Sequence, residues 1–249
     1  MTMNSVSLPA QADLRLPRYQ LIRDDIVRRI AEGQWAPGQA IPTESDLCTA
    51  YEVSIGTLRK AIDLLVAEGV LTRTQGKGTF VRRPRFDSSL FRFFRFKSAD
   101  GDPVQPTGKI LDRKVLKPSE AIRAALQMKA SETSIRLSRV RLIDSEPVLR
   151  EEIWLPRHRF GALVTLPLDE FGDLMYPLYE RACRQIVASA KETLTVEEAT
   201  SEDAAALRVN VGSPIIVVQR VALDFAGTPI EWRTTRGAAT GFQYQVDIR

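Results

Sequence analysis

Residues 43–81 read TESDLCTAYEVSIGTLRKAIDLLVAEGVLTRTQGKGTFV, and the order of signals in this stretch decides the fold of the N-terminal part. Thr43 stands three residues before Asp46, the spacing of a capping box with aspartate in place of the usual glutamate or glutamine. A short helix is therefore expected from there to about Tyr51. Ser54 offers a second N-cap, and Leu58, Ile62, Leu65 and Val66 form an apolar stripe that ends at Glu68-Gly69. Residues 70–74, 75–78 and 79–81 then read as strand, glycine turn and strand. Two short helices, a tight turn and a hairpin in this order predict a winged helix-turn-helix.

Working outward, Leu21, Ile22, Ile26 and Ile30 recur at helical spacing, which predicts a first helix over residues 19–32 with Gly33 as its stop. Residues 1–16 are polar and aperiodic and are expected to be a flexible arm, so the first domain spans 17–82. On the other side the run Arg82-Arg83-Pro84-Arg85 breaks the strand pattern, which places a linker at 83–89 and a second domain over 90–249. Strand patterns at 134–143, 148–154 and 215–225 alternate there with helical patterns at 120–126, 174–182 and 201–207. This predicts an α+β domain on an antiparallel sheet.

A chain of 249 residues, 44% hydrophobic and 27% charged, can bury a proper core in one large domain or two moderate ones. It contains no run of roughly 18 apolar residues and no basic-then-apolar leader, so a cytoplasmic location without a membrane partner is expected. Cys48 and Cys183 are too far apart and too few for a disulfide framework or a thiolate metal site, and both read as free thiols, Cys48 as a small buried helix residue. No metal and no cofactor is expected. Of the net charge of +4, residues 1–85 carry three. Location matters more than the total, since the excess lies with the helix-turn-helix pattern.

In a helix-turn-helix the second helix lies in the major groove with its first residues against base edges. Ser54, Thr57, Arg59 and Lys60 crowd that end here, with hydroxyls and a guanidinium suited to bases or phosphates. Lys77 lies between Gly76 and Gly78 at the wing tip, where the lack of side chains lets backbone approach a groove. Thr43 and Arg73 complete the DNA-binding set. Each feature alone has a plainer reading: Ser54 and Thr57 can simply cap a helix, and Gly-Lys-Gly can simply close a hairpin. Their joint order within some sixty residues favours double-stranded DNA as a partner.

The elements Pro17-x-Tyr19-x-x-Ile22, Pro37-Gly38, Ile41-Pro42-Thr43-Glu44, Thr57-Leu58-Arg59-x-Ala61 and Gly76-x-Gly78-Thr79-Phe80-Val81 resemble the GntR family of bacterial regulators. The family usually has arginine where this chain has Ser45 and Ile55, so the resemblance implies an operator that departs from the usual consensus.

In the second domain Arg139 and Arg141 share one face of a strand, because side chains alternate with period two. Two guanidiniums on one face repel unless an anion or a carboxylate lies between them, and the returning strand with Glu151 could supply a carboxylate. On a generic sheet the plainer reading is a solvated charged face with cross-strand ion pairs. The Arg-x-Arg strand, the turn Asp144-Ser145-Glu146-Pro147, a Glu ten residues after the second Arg and a closing strand pair at 215–230 resemble the effector domain of the HutC-type GntR branch. That domain, UTRA, is similar in fold to chorismate lyase. The resemblance implies Arg139, Arg141 and Glu151 as effector ligands, with Ser98, Glu231 and Tyr244 at further pocket positions, although Glu231-Trp232-Arg233 departs from the usual Glu-Tyr. Arginine pairs suit carboxylate or phosphate, so a carboxylate, phosphate or zwitterionic effector is expected.

The resemblance implies a homodimeric repressor released by its effector, with an activator of the same fold as the alternative. A lyase-like enzyme is disfavoured: His158 is the single histidine, set among Arg157 and Arg159, and no nucleophile elbow, metal spacing or phosphate loop is present. A nonspecific architectural DNA binder would need many more phosphate contacts than so weak a positive charge suggests.

Overall fold

The computed structural model describes residues 15–83, 104–240 and 242, and the chain divides into two compact units, Met1–Pro84 and Arg85–Arg249. In the first unit α1 (Arg18–Ala31) turns Leu21, Ile22, Ile26, Val27 and Ile30 inward, and the apolar stripe of α3 (Ile55–Ala67) packs against it through Leu58, Ala61, Ile62 and Leu65. Between them in sequence, α2 (Glu44–Tyr51) starts from the expected capping box: the Thr43 hydroxyl accepts from the Asp46 amide at 3.2 Å while Asp46 Oδ2 accepts from the Thr43 amide at 3.3 Å. The helix ends in a left-handed Glu52, and Ser54 caps α3 by accepting from the Thr57 amide.

A buried carboxylate, ion-paired within α1, is also tied to α2 by a hydrogen bond. The Asp25 carboxylate accepts from Arg29 Nε at 2.7 Å, from Arg28 Nη2 at 2.5 Å and from the Tyr51 hydroxyl at 2.8 Å. Burial alone would raise the pKa of this carboxyl, but the three donors outweigh it and hold the value below the ordinary one. The wing is the hairpin of β1 (Leu71–Thr74) and β2 (Gly78–Val81), extended by a bridge between Ala40 and Phe80. Gly76 and Gly78 both lie at positive φ, 73° and 117°, which the tight turn requires and other residues resist.

The second unit is built on one six-stranded, fully antiparallel sheet in the order β3-β4-β5-β8-β7-β6. The strands are β3 (Thr107–Leu116), β4 (Ser134–Ile143), β5 (Glu146–Pro156), β6 (Ser189–Glu198), β7 (Pro214–Leu223) and β8 (Pro229–Ala238). Both edge strands, β3 and β6, were absent from the sequence reading. Their exposure explains this: four of the ten residues in each are charged and the buried apolar face is thin, as suits edges that resist further pairing.

One face of the sheet carries Ile135, Leu137, Ile153 and Leu155 under a cover of Phe160, Leu163, Phe171, Met175, Leu178 and Tyr179. The cover comes from α5 (Arg157–Phe160), the 3-10 turns Gly161–Val164 and Leu168–Phe171, and α6 (Met175–Cys183). On the alternate residues Trp154 and Trp232 pack with Ile122 of α4 (Glu120–Ala125) and with Leu126 and Met128. There α7 (Ser201–Leu207) is tied to β5 by Arg150, which bonds Asp203 at 2.6 Å. Cys48 and Cys183 are free thiols, and each is half-buried; Cys48 is thus less enclosed than expected.

Candidate functional site

The first unit gathers most of the residues expected to meet DNA. Ser54, Arg59 and Lys60 are exposed at the start of α3, Thr57 is half-buried between them, and Gly76, Lys77 and Gly78 are exposed at the wing tip. Several of the side chains have local partners. The Ser54 and Thr57 hydroxyls lie 3.0 Å apart, and the Thr43 hydroxyl donates to Asp46 Oδ2 at 2.7 Å, so the capping roles hold for Ser54 and Thr43, while Thr57 supplies the amide that Ser54 caps. Glu44, outside the expected set, draws two of the cations together: Arg59 Nε donates to it at 2.8 Å and Arg73 Nη2 lies at 3.7 Å, while Arg73 Nη1 bonds Asp63. These pairs are solvent-exposed and so bind weakly enough to be exchanged for phosphates. The Lys60 ammonium sits 4.1 Å from the centre of the Tyr19 ring on α1.

In the second unit, strand register sets charged residues among apolar ones. One row across the sheet reads Ile110, Arg139, Glu151, Thr235, Val218 and Leu194. The next reads Leu137, Ile153, Arg233, Arg220 and Glu192. The solvated-face reading does not hold, because the side chains of Arg139, Arg141, Glu151 and Arg233 are between 0% and 3% exposed.

Glu151 lies between three guanidiniums. Its Oε2 accepts from Arg139 Nη1 at 3.2 Å and from Arg141 Nε at 3.1 Å, and its Oε1 from Arg233 Nη1 at 3.3 Å. Burial pushes this carboxyl upward, but the charges of Arg141, Arg233 and Arg139 prevail and hold it well below the usual carboxylate range. Arg139 is pushed down to about 10, first by burial, with Glu151 opposing and the other two arginines adding to the fall. It remains a cation at neutral pH.

The network continues through Glu231, which accepts from Arg233 at 2.7 Å, from the Tyr179 hydroxyl at 2.6 Å and from the Tyr176 hydroxyl at 3.3 Å. Burial first and the Glu231 charge second push Tyr176 up to about 12 and Tyr179 well above its ordinary value, so both stay protonated donors. Arg220 Nη1 reaches the Tyr176 hydroxyl at 3.2 Å and its Nε reaches Glu192 at 2.6 Å. Among the described residues Arg139, Arg141, Arg220 and Arg233 thus join Glu151, Glu192 and Glu231 in one buried network. Converging guanidiniums are chemically able to bind a carboxylate or phosphate.

The UTRA domain model matches residues 89–243 and that of the bacterial regulatory proteins of the gntR family matches residues 18–81. The chain belongs to the GntR family. It is 34% identical over 217 residues to a probable fructoselysine utilization operon transcriptional repressor of Escherichia coli O157:H7, covering 85% of this chain and 86% of that protein. To the HTH-type transcriptional repressor NagR of Bacillus subtilis it is 27% identical, over 87% of this chain and 88% of that one. The crystal structure of the possible transcriptional regulator YydK from Bacillus subtilis shares the fold with a TM-score of 0.53 and 21% identity, over 94% of this chain and 100% of that one.

As a GntR member the chain is a DNA-binding transcriptional regulator with a UTRA domain and not an enzyme. His158 is accordingly a surface residue, 57% exposed, with Nδ1 at 3.6 Å from Glu132 Oε1. Among the described residues no helix is long and apolar enough to cross a membrane. The structure brings Arg139, Arg141 and Glu151 together and joins Glu231 to them through Arg233; Ser98 and Tyr244 lie outside the described residues. The sequence reading missed Arg233, Arg220, the two tyrosines of α6 and Gly108. A trace of Arg233 was available, since it alternates with Glu231 on one strand, but which face that strand presents is set by long-range pairing.

Proposed function

We propose that this regulator is a repressor that grips a pseudopalindromic operator as a homodimer and releases it when a small anionic or zwitterionic metabolite binds beside Arg139, Arg141 and Glu151. The observation that carries this reading is the buried convergence of Arg139, Arg141 and Arg233 on the Glu151 carboxylate. The names of two relatives, both called repressors, support the sign of regulation. Fructoselysine, in the name of one, joins a sugar to an amino acid and so belongs to the zwitterionic class. In the proposed organisation, which is that of a cytoplasmic protein of the HutC-type branch, an arm over residues 1–16 precedes a head at 17–82, a linker at 83–89 and a sensor at 90–249. Two-fold symmetry of the dimer would match half-sites about one helical turn apart. The effector shifts occupancy by its differential affinity for the DNA-free form.

The test separates the two sites. With an operator selected from random DNA, Arg59→Ala is expected to weaken binding about tenfold or more, at unchanged melting temperature. Arg139→Ala is expected to bind that operator normally but lose the thermal stabilisation that small carboxylates, sugar phosphates and amino-acid derivatives give the wild-type protein. An Arg139→Ala protein that still responds to those compounds would refute the pocket assignment.

The operator itself is proposed to depart from the family's usual sequence. Ile55 is 45% exposed at the first residue of α3, an apolar group where the family usually places arginine. Ile55→Arg is expected to change the selected base at one position in each half-site by about tenfold in preference. An unchanged selection would show that residue 55 does not face a base.

A further inference from the structure

Gly108 faces Arg141 in the register of β3 and β4, and its amide donates to Asp173 Oδ1 at 2.7 Å. Its backbone lies outside the left-handed region, so conformational freedom does not explain the glycine. Space does. A Cβ at this position would stand 1.7 Å from Nη2 of Arg139, 2.4 Å from its Cζ and 2.6 Å from its Nε. The guanidinium fills the volume that any side chain at 108 would need.

Arg139 has little freedom to step aside. It is fully buried, with Nη1 on Glu151 and Nη2 donating to the main-chain oxygens of Gly172 at 3.1 Å and Asp173 at 2.6 Å. The same Asp173 oxygen accepts from Arg141 Nη1 at 3.4 Å. Asp173 therefore grips the cluster twice, by its carbonyl on both arginines and by its carboxylate on the strand that carries Gly108.

We propose that Gly108 and Asp173 are positioning residues of the anion site, together forming a seat that aims the Arg139 guanidinium. The proposal rests on the reading of Arg139 as an anion ligand. Because the nearest atoms to a Cβ at 108 all belong to Arg139, adding a methyl group there displaces that guanidinium first and leaves the sheet paired. The Asp173 side chain acts through Gly108, and an amide oxygen can replace its carboxylate as acceptor.

The experiment compares wild type, Gly108→Ala, Arg139→Ala and the double variant by melting temperature, with inorganic phosphate as the probe. Phosphate is expected to stabilise the wild-type protein and to bind Gly108→Ala about tenfold more weakly or worse, with operator affinity within about twofold. In phosphate-free buffer Gly108→Ala is expected to lower the melting temperature of the wild-type protein but not that of Arg139→Ala, since the clash disappears with its partner. Asp173→Ala should weaken phosphate binding and Asp173→Asn restore it. Full phosphate binding by Gly108→Ala, or an equal cost of that change beside Arg139→Ala, would overturn the seat. If phosphate leaves the wild-type protein unmoved, the anion reading falls, and the phosphate-free cycle alone decides whether Gly108 seats Arg139.

Discussion

Replacing Glu151 with glutamine is expected to produce the largest loss of stability of any conservative change in the sheet unit. The substitution keeps the volume but removes the carboxylate to which Arg139, Arg141 and Arg233 all donate. Arg233 keeps Glu231, whereas Arg139 keeps the main-chain oxygens of Gly172 and Asp173 among the described residues. Breaking a buried pair by removing one partner costs about 3–5 kcal/mol, because the remaining charge cannot regain water. For a unit of this size that corresponds to a fall on the order of 10 °C in the melting temperature, read by calorimetry as the transition belonging to the sheet unit.

The same residue gives a pH signature. Its folded pKa lies below its unfolded one, so its contribution is fully present above the ordinary carboxylate value of about 4.3 and is lost as pH falls through the depressed folded value. The gap between the wild-type protein and Glu151→Gln should therefore be constant from neutral pH to about pH 5 and narrow below about 4. An anionic ligand should stabilise Glu151→Gln more than wild type, since it supplies the missing negative charge. A variant that melts within a degree or two of the wild-type protein would show that other groups compensate the arginines.

The second large effect is expected in the DNA-binding unit, from Asp25→Ala. That carboxylate is the common partner of Arg28, Arg29 and Tyr51 in a small domain with little core to spare. Arg29 is only 5% exposed, so truncating Asp25 strips a buried cation of its closest carboxylate and costs about 3 kcal/mol or more. The depressed folded pKa of Asp25 means that its stabilisation holds above about pH 4 and fades as the pH falls below its ordinary value. Operator binding by Asp25→Ala should fail on warming well before that of the wild-type protein, while the calorimetric transition of the sheet unit stays in place. Unchanged melting of the first unit would show that this buried ion pair contributes nothing net. The contrast with Arg59→Ala is useful, because Arg59 is exposed and its loss should affect affinity without affecting the fold.

The N-terminal unit was legible in the sequence because its signals are local. Thr43 and Asp46 make their capping box within one turn of helix, Ser54 caps α3 through Thr57, and Gly76 and Gly78 set the wing turn within a few residues. Period-two alternation likewise put Arg139 and Arg141 on one face before any partner was known. What the sequence could not settle was whether that face is wet or dry, since the answer depends on α6 and the 3-10 turns that cover it. The third arginine reaches Glu151 from 82 residues away, and the seat for Arg139 joins Gly108 to a loop 65 residues later in the chain. The sequence alone thus determined the helix-turn-helix, the wing and the pairing of two arginines, all fixed by contacts within a turn or along a strand. Only the tertiary structure decided the burial, the partners and the aim of the cluster, because those depend on strands and loops that meet through long-range sheet pairing.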